Sequence, residues 1–284
     1  MEALALIWQL PFLRDAAAAA LLVALPCGLL SPFLVLKGYS LIGDAIAHAV
    51  LPGVAIAYIL GLPLVAGAFA AGMGSALLTG WLARHSRVKR DTVMGVVFAG
   101  MFALGVVLIA ATPSDVHLEH ILFGNLLGVA RTELAVAAAV AVVVAIVIGL
   151  RWRDFLLHAF DETQARAMGL RTGWLTNGLL ALISAAVVAA LGAVGIVLVV
   201  ALLITPGAVG FLLTRSFGAM MAVSTGTAML SALLGLWLSV VIDSAPGGTI
   251  VVVLTGLFLG ALALRRLRDG GRSGGSETPP KRAE

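Results

Sequence analysis

Apolar positions along this chain neither alternate nor recur at amphipathic spacing. They come in unbroken stretches of about twenty residues, joined by short polar or basic links. A hydrocarbon core of roughly 30 Å is crossed by about 20 helical residues, so each stretch is long enough to span a bilayer. The pattern predicts spans at 16–36, 41–60, 64–82, 93–112, 131–150, 175–192, 194–213, 219–241 and 249–264. The expected fold is an all-α integral membrane protein, a polytopic bundle of about nine transmembrane helices. The division of 175–213 rests on the glycines of Leu191-Gly192-Ala193-Val194-Gly195, and a single long, broken helix there gives eight spans instead. Irregular backbone is tolerated at membrane depth when buried in protein or lining a cavity, so this break and Thr205-Pro206-Gly207 could equally border a pathway.

The flanks carry little. Residues 1–13, interrupted by Pro11, lack the basic start and cleavage site of a signal peptide and read as an interfacial segment; 14–268 form the membrane domain. The tail, 269–284, is Gly, Ser, Pro and charge without an apolar face, and is expected to be disordered. Composition agrees: 61% hydrophobic and 11% charged residues, with a mean hydropathy of +1.10, lie outside the soluble range. The lone Cys27 lies in the first span and excludes a disulfide framework or a thiolate metal cluster within one chain.

Charge adds orientation. In the nine-span arrangement, 16 of the 18 Lys and Arg residues fall on one side, leaving only Arg14 and Arg131 opposite. Positive residues mark the cytoplasmic side, so the C-terminus is expected there. The formal charge of +4 is thereby explained by cytoplasmic loops, with no need of a nucleic-acid partner. The opposite loops, 113–130 and 243–248, carry Asp115, Glu119 and Asp243, which suits a face that meets cations.

Within the spans the notable chemistry is Asp44 and His48, in Ser40-Leu-Ile-Gly-Asp-Ala-Ile-Ala-His48. Four residues apart on a helix, they share one face. Ionisable groups at membrane depth are costly and mark functional sites by default. A carboxylate with an imidazole suits manganese, ferrous iron or zinc better than calcium or a soft copper ion. Two ligands are too few, and a second copy of the helix would make four. An Asp–His hydrogen bond that only locks helix packing fits the same spacing, and Gly43, Ala45, Ala47 and Ala49 make a small-residue face for close contact. A weaker metal-ligand cluster is His117, Glu119 and His120 in the external loop, which could also shape the outer mouth or dock a partner. In the long link 151–174, Asp161 can cap a short helix, Glu162 suits its positive end and Gly169 closes it after Ala165. That helix would either lie on the membrane or fit a groove in a cytoplasmic partner. The chain has no Gly-x-x-x-x-Gly-Lys-Ser/Thr loop, so nucleotide chemistry would come from another polypeptide.

The blocks SLIGDAIAHAVLPGVAIAY, HILFGNLLGV, FDETQARAMGL, VVALLITPGAVGFLLTRSF and DSAPGGTIVVVLTGLFLG resemble, in order and over nearly the whole chain, the membrane permease of ABC importers for manganese, zinc and chelated iron. HILFGNLLGV is closer to the manganese/iron members than to the zinc-only ones. The resemblance implies that Asp44 and His48 match the intramembrane metal-coordinating pair, and that Asp161–Leu170, with Glu162, Ala165 and Gly169, matches the coupling helix that docks on an ATPase. It further implies a second permease, identical or paralogous, two cytoplasmic ATP-binding subunits and an extracytoplasmic metal-binding protein, in a bacterial inner or plasma membrane. The chain itself would not be an enzyme. A divalent manganese, iron or zinc ion would be its substrate, with no covalent cofactor.

Two other readings use the same residues. A self-contained secondary transporter or channel would use Asp44 as its ion or proton carboxylate and leave 161–170 without a role. An intramembrane metalloenzyme would need more than Asp44 and His48, and neither His-Glu-x-x-His nor Gly-x-Ser-x-Gly occurs.

Overall fold

The computed structural model describes residues 10–39, 42–111, 124 and 126–273. Among them there is no strand. Nine helices follow in chain order: α1 (Pro11–Lys37), α2 (Ile42–Ile59), α3 (Leu64–His85), α4 (Arg90–Ala111), α5 (Arg131–Phe160), the short α6 (Glu162–Ala167), α7 (Thr172–Leu213), α8 (Phe217–Ile242) and α9 (Pro246–Ser273), with a 3₁₀ turn at Leu126–Gly128. All but α6 are long and apolar enough to cross a membrane, which gives eight candidate spans.

One of the eight is not a single crossing. As a straight rod, the 42 residues of α7 would measure about 63 Å, twice a hydrocarbon core. Gly195 inside it has φ 77° and ψ 169°, a conformation essentially reserved for glycine, and there the helix turns back. Side-chain contacts fix the sharpness of the turn. Gly178, in the first arm, lies against the ring of Phe155. Phe155 and Phe217, the latter just beyond the second arm, both meet Phe33 edge-on, at 6.1 and 4.9 Å. The two ends of α7 therefore sit at one end of the bundle. Gly195 sits at the other, where Gly124 and Gly247 reach its turn. The chain thus crosses nine times within the described residues, as the glycine-based split of 175–213 anticipates.

Helix α1 is central, packed by α5, α7 and α8. It tolerates Pro26 and Pro32, and the helix opposite it carries Pro206. A buried serine helps join the two irregular segments: Ser31 Oγ accepts from Gly207 N–H at 2.8 Å and donates to the Ile204 carbonyl at 3.2 Å. A Cβ on Gly207 would fall 2.6 Å from that oxygen, so only glycine lets the backbones meet. Thr205-Pro206-Gly207 is thus a packing device against α1. Gly38, φ 66°, closes α1 in a Schellman turn, with Tyr39 N–H on Leu34 O and Gly38 N–H on Val35 O, and sends the chain into α2.

Helices α2, α3 and α4 pack on one another, and α2 and α3 also touch α7. Here α2 crosses α3 backbone to backbone: Cβ atoms added at Gly53 and Gly67 would lie 2.1 and 2.3 Å from the opposing carbonyl oxygens. Gly105 performs the same service for α4 against Leu51 and Pro52.

Two boundaries differ from expectation. Helix α5 runs on to Phe160 rather than stopping near 150, because beyond the apolar stretch it becomes amphipathic. Arg151 and Asp154 pair at 3.0 Å on its exposed side while Phe155 and His158 are buried. Helix α9 continues to Ser273, so 269–273 are helical rather than part of a disordered tail; α1 likewise takes in Pro11–Leu13.

Candidate functional site

Asp44 and His48 stand in the first half of α2, on the stripe of that helix the core does not cover. Ile46, Ala47, Val50 and Val54 are buried, whereas the side chains of His48 and Asp44 keep 25% and 31% of their surface exposed. The spacing does bring them together. His48 Nδ1 lies 3.0 Å from the main-chain oxygen of Asp44 and 3.2 Å from its carboxylate oxygen Oδ1. A carbonyl oxygen can only accept, so Nδ1 carries the hydrogen in this arrangement. With that tautomer, the lone pair of an uncharged ring is on Nε2, the form that ligates a metal. Pro52 adds a detail on the same helix: it has no N–H to give the His48 carbonyl four residues back, so that oxygen lacks its usual helical donor.

The ring of His48 is held by α4. Phe98 and Phe102, one turn apart, stand 5.6 and 5.4 Å from it between centroids, and Gly105 brings α4 close enough for both to reach. These aromatic positions escaped the sequence reading because an apolar residue in an apolar span carries no distinguishing signal. The fourfold spacing from Phe98 to Phe102 is the clue that could have found them. Among the described residues no group of three or more His, Cys, Asp or Glu converges. One chain therefore offers a carboxylate and an imidazole on an open face, not a closed cage. His117, Glu119 and His120 lie outside the described residues.

At the basic end, Asp161 is the N-cap of α6: its Oδ1 accepts from Thr163 N–H at 2.8 Å and Gln164 N–H at 3.0 Å. Glu162 pairs along the helix with Arg166, which holds its carboxyl below the ordinary carboxylate value. Arg166 Nε also donates to Thr172 Oγ1 at 3.1 Å, tying α6 to α7. Gly169, φ 80°, ends the helix, with Leu170 N–H on Ala165 O. Ala165 is fully buried, so it seats α6 rather than facing outward. Around α6 the large apolar side chains Phe160, Met168 and Trp174 are 71%, 68% and 76% exposed.

Beneath α6 lies a group the sequence did not reveal. His158 is 2% exposed, and its Nε2 takes a hydrogen bond from Lys37 Nζ at 2.8 Å, with Thr176 Oγ1 at 2.9 Å. The last residue of α1, the end of α5 and the start of α7 meet at this one ring.

Comparison with known proteins places the chain in a family. The ABC 3 transport family model matches residues 9–265. The chain is 46% identical over 258 residues to the chelated iron transport system membrane protein YfeD of Yersinia pestis, covering 91% of this chain and 87% of that one. It is 44% identical over 254 residues to the manganese transport system membrane protein MntB of Synechocystis sp., covering 89% and 83%. Among solved structures, PsaBC from Streptococcus pneumoniae, in complex with Fab, is similar over 92% of this chain and 94% of its own, with 35% identity and a TM-score of 0.83. With fold and sequence matching from the first helix to the last, this chain belongs to the ABC 3 transport family.

Proposed function

We infer that this chain is the membrane permease of an ATP-driven importer of divalent transition-metal ions, manganese or iron ahead of zinc. The observation that carries the reading is the Asp44/His48 pair: a carboxylate and an imidazole brought together, both partly exposed, on one stripe of a membrane helix. Relatives named for manganese and chelated iron transport support the choice of ion. The basic end is cytoplasmic, where α6 and the exposed Phe160, Met168 and Trp174 present a projecting ridge to an ATP-binding subunit. A self-contained carrier would have no use for such a ridge.

On this reading a binding protein delivers the ion at the Gly124, Gly195 and Gly247 end, and a second permease copy or paralogue completes a four-ligand site from two Asp–His pairs. Closure of the ATP-binding subunits moves α6, and the bundle rocks to expose Asp44 and His48 alternately to the two sides. An open oxygen–nitrogen site keeps room for water and releases its ion, as a thiolate cage would not.

The test is metal accumulation in cells expressing this chain with its ATP-binding and binding-protein partners, comparing wild type with Asp44→Asn across manganese, iron and zinc. The expected result is loss of uptake with insertion and assembly intact. Unchanged uptake of all three metals would make Asp44 structural and send the search for the ion path elsewhere.

A further inference from the structure

One cavity of the bundle has no part in the path proposed for the ion. It measures about 350 Å³ and lies between α2, α3, α5 and α7. It backs onto the buried side of α2, at Val50 and Val54, away from the stripe that carries Asp44 and His48. Among its described walls only Thr132 and Glu133, in the first turn of α5, are polar. Leu64 and Val65, at the start of α3, also line it and are 43% and 49% exposed, so the cavity opens on that side to the outside of the bundle. In a membrane that outside is lipid.

Glu133 sets the chemistry of that opening. Its Oε2 accepts from Ala130 N–H at 3.1 Å, while Oε1 faces Gly192 of α7, 3.1 Å from where a Cβ on that glycine would stand. Among the described residues no Lys, Arg or His pairs with it. Arg131, two residues earlier, lines a separate crevice with Arg14 and Asp15. The amino end of α5 offsets only about half of the carboxylate's charge. A carboxylate can only accept, and its strongest partner is a charged N–H donor. Apolar clefts with a few placed polar groups are the usual form of a ligand site. An occupant must therefore be apolar over most of its length, carry a cationic N–H group at one end, and arrive from the bilayer. Phosphatidylethanolamine has all three properties; phosphatidylcholine has no N–H on its head, and phosphatidylglycerol has no cation. We propose that this cavity binds phosphatidylethanolamine, its ammonium donating to Glu133 Oε1 and an acyl chain lying against Val54, Ala68 and Val136.

The test is the thermal midpoint of the full-length chain in a neutral detergent, with phosphatidylethanolamine, phosphatidylcholine or phosphatidylglycerol added at one mole fraction. At about a hundredfold excess over Kd, phosphatidylethanolamine should raise the wild-type midpoint by roughly 5 to 10 °C, and the other two by clearly less. Glu133→Gln keeps an oxygen for the Ala130 amide but loses the charge, and should reduce the phosphatidylethanolamine shift to that of phosphatidylcholine. Asp15→Asn, which removes a carboxylate from the neighbouring crevice, should respond as wild type does. Ala189→Leu fills the cavity from α7 and should abolish the response; if it fails to fold, Ala68→Leu fills the cavity from α3. Each variant is compared by its lipid-induced shift, so its own stability does not enter. The proposal is overturned if phosphatidylcholine or phosphatidylglycerol stabilises wild type as well as phosphatidylethanolamine, if Glu133→Gln keeps the full shift, or if the filled cavity still responds. It is equally overturned if Glu133→Gln weakens association between copies of this chain and leaves the lipid response intact, for the cavity would then be a protein contact.

Discussion

The turn at Gly195 makes a quantitative claim about two glycines three residues apart. At Gly195, φ 77° and ψ 169° lie where a Cβ collides with its own backbone, and an L-residue there costs about 1–3 kcal/mol. At Gly192 a Cβ would meet only the Glu133 carboxylate, with Oε1 at 3.1 Å, the mobile end of a side chain whose other oxygen accepts from Ala130 N–H. Alanine is also the better helix former by about 0.5–1 kcal/mol, so Gly192→Ala should be neutral or slightly stabilising. In a domain of this size the Gly195→Ala penalty corresponds to a fall in midpoint of roughly 2–12 °C. The assay is thermal unfolding of the two variants and wild type in one detergent at one scan rate, because membrane-protein unfolding is commonly irreversible and scan-dependent. Equal midpoints for Gly195→Ala and wild type, or equal losses at both glycines, would refute the hairpin geometry.

Three further outcomes follow from the basic end. Asp161→Ala removes the acceptor for two amides and should destabilise α6 by about 0.5–2 kcal/mol; metal-stimulated ATP hydrolysis in the reconstituted complex should fall while membrane insertion is unchanged. The Glu162 carboxyl is held below its ordinary value of 4.5 by Arg166, so the pair's contribution is complete above that pH and is lost as the pH falls from there through the lowered value. Amide exchange in α6, corrected for intrinsic rate, should be level from neutral pH to about 4.5 and rise below it, and Glu162→Gln should abolish the pH dependence. Lys37→Met strips the buried His158 ring of a charged donor at 2.8 Å and should cost about 1–3 kcal/mol, read as a lower thermal midpoint, with partial recovery in Lys37→Arg.

Much of the fold was legible because the bilayer simplifies the code: a span is a length of apolar residues, and 41–60 or 219–241 can be read without knowing a neighbour. Asp44 and His48 stood out for the same reason, as ionisable groups where solvation is poor. What the sequence hid was pairing. Gly53 and Gly67 read as ordinary small residues, and only the crossing of α2 and α3 shows two backbones in contact there. Phe98 and Phe102 are indistinguishable from lipid-facing residues until α4 sets them against His48. Lys37 and His158 are 121 residues apart, and each alone looks like a charge marking a cytoplasmic boundary.

The placement of Lys37 connects the two candidate sites of the chain. Six residues separate it from Asp44, and those residues include the Gly38 turn, whose φ of 66° fixes the direction in which the chain leaves α1. On its other side, Lys37 is bonded to His158, two residues before the end of α5 and three before the Asp161 cap of α6. Thr176 of α7 meets the same ring, and Thr172 takes Arg166 from α6. A displacement of α6 by a partner therefore has a short, hydrogen-bonded route to the root of the helix that carries Asp44 and His48. Because His48 is bonded within its own helix and only flanked by Phe98 and Phe102, a tilt of α2 would carry both side chains together past that aromatic wall. The pair would keep its internal geometry while its exposure changed, which is what alternating access would ask of the ion site proposed here.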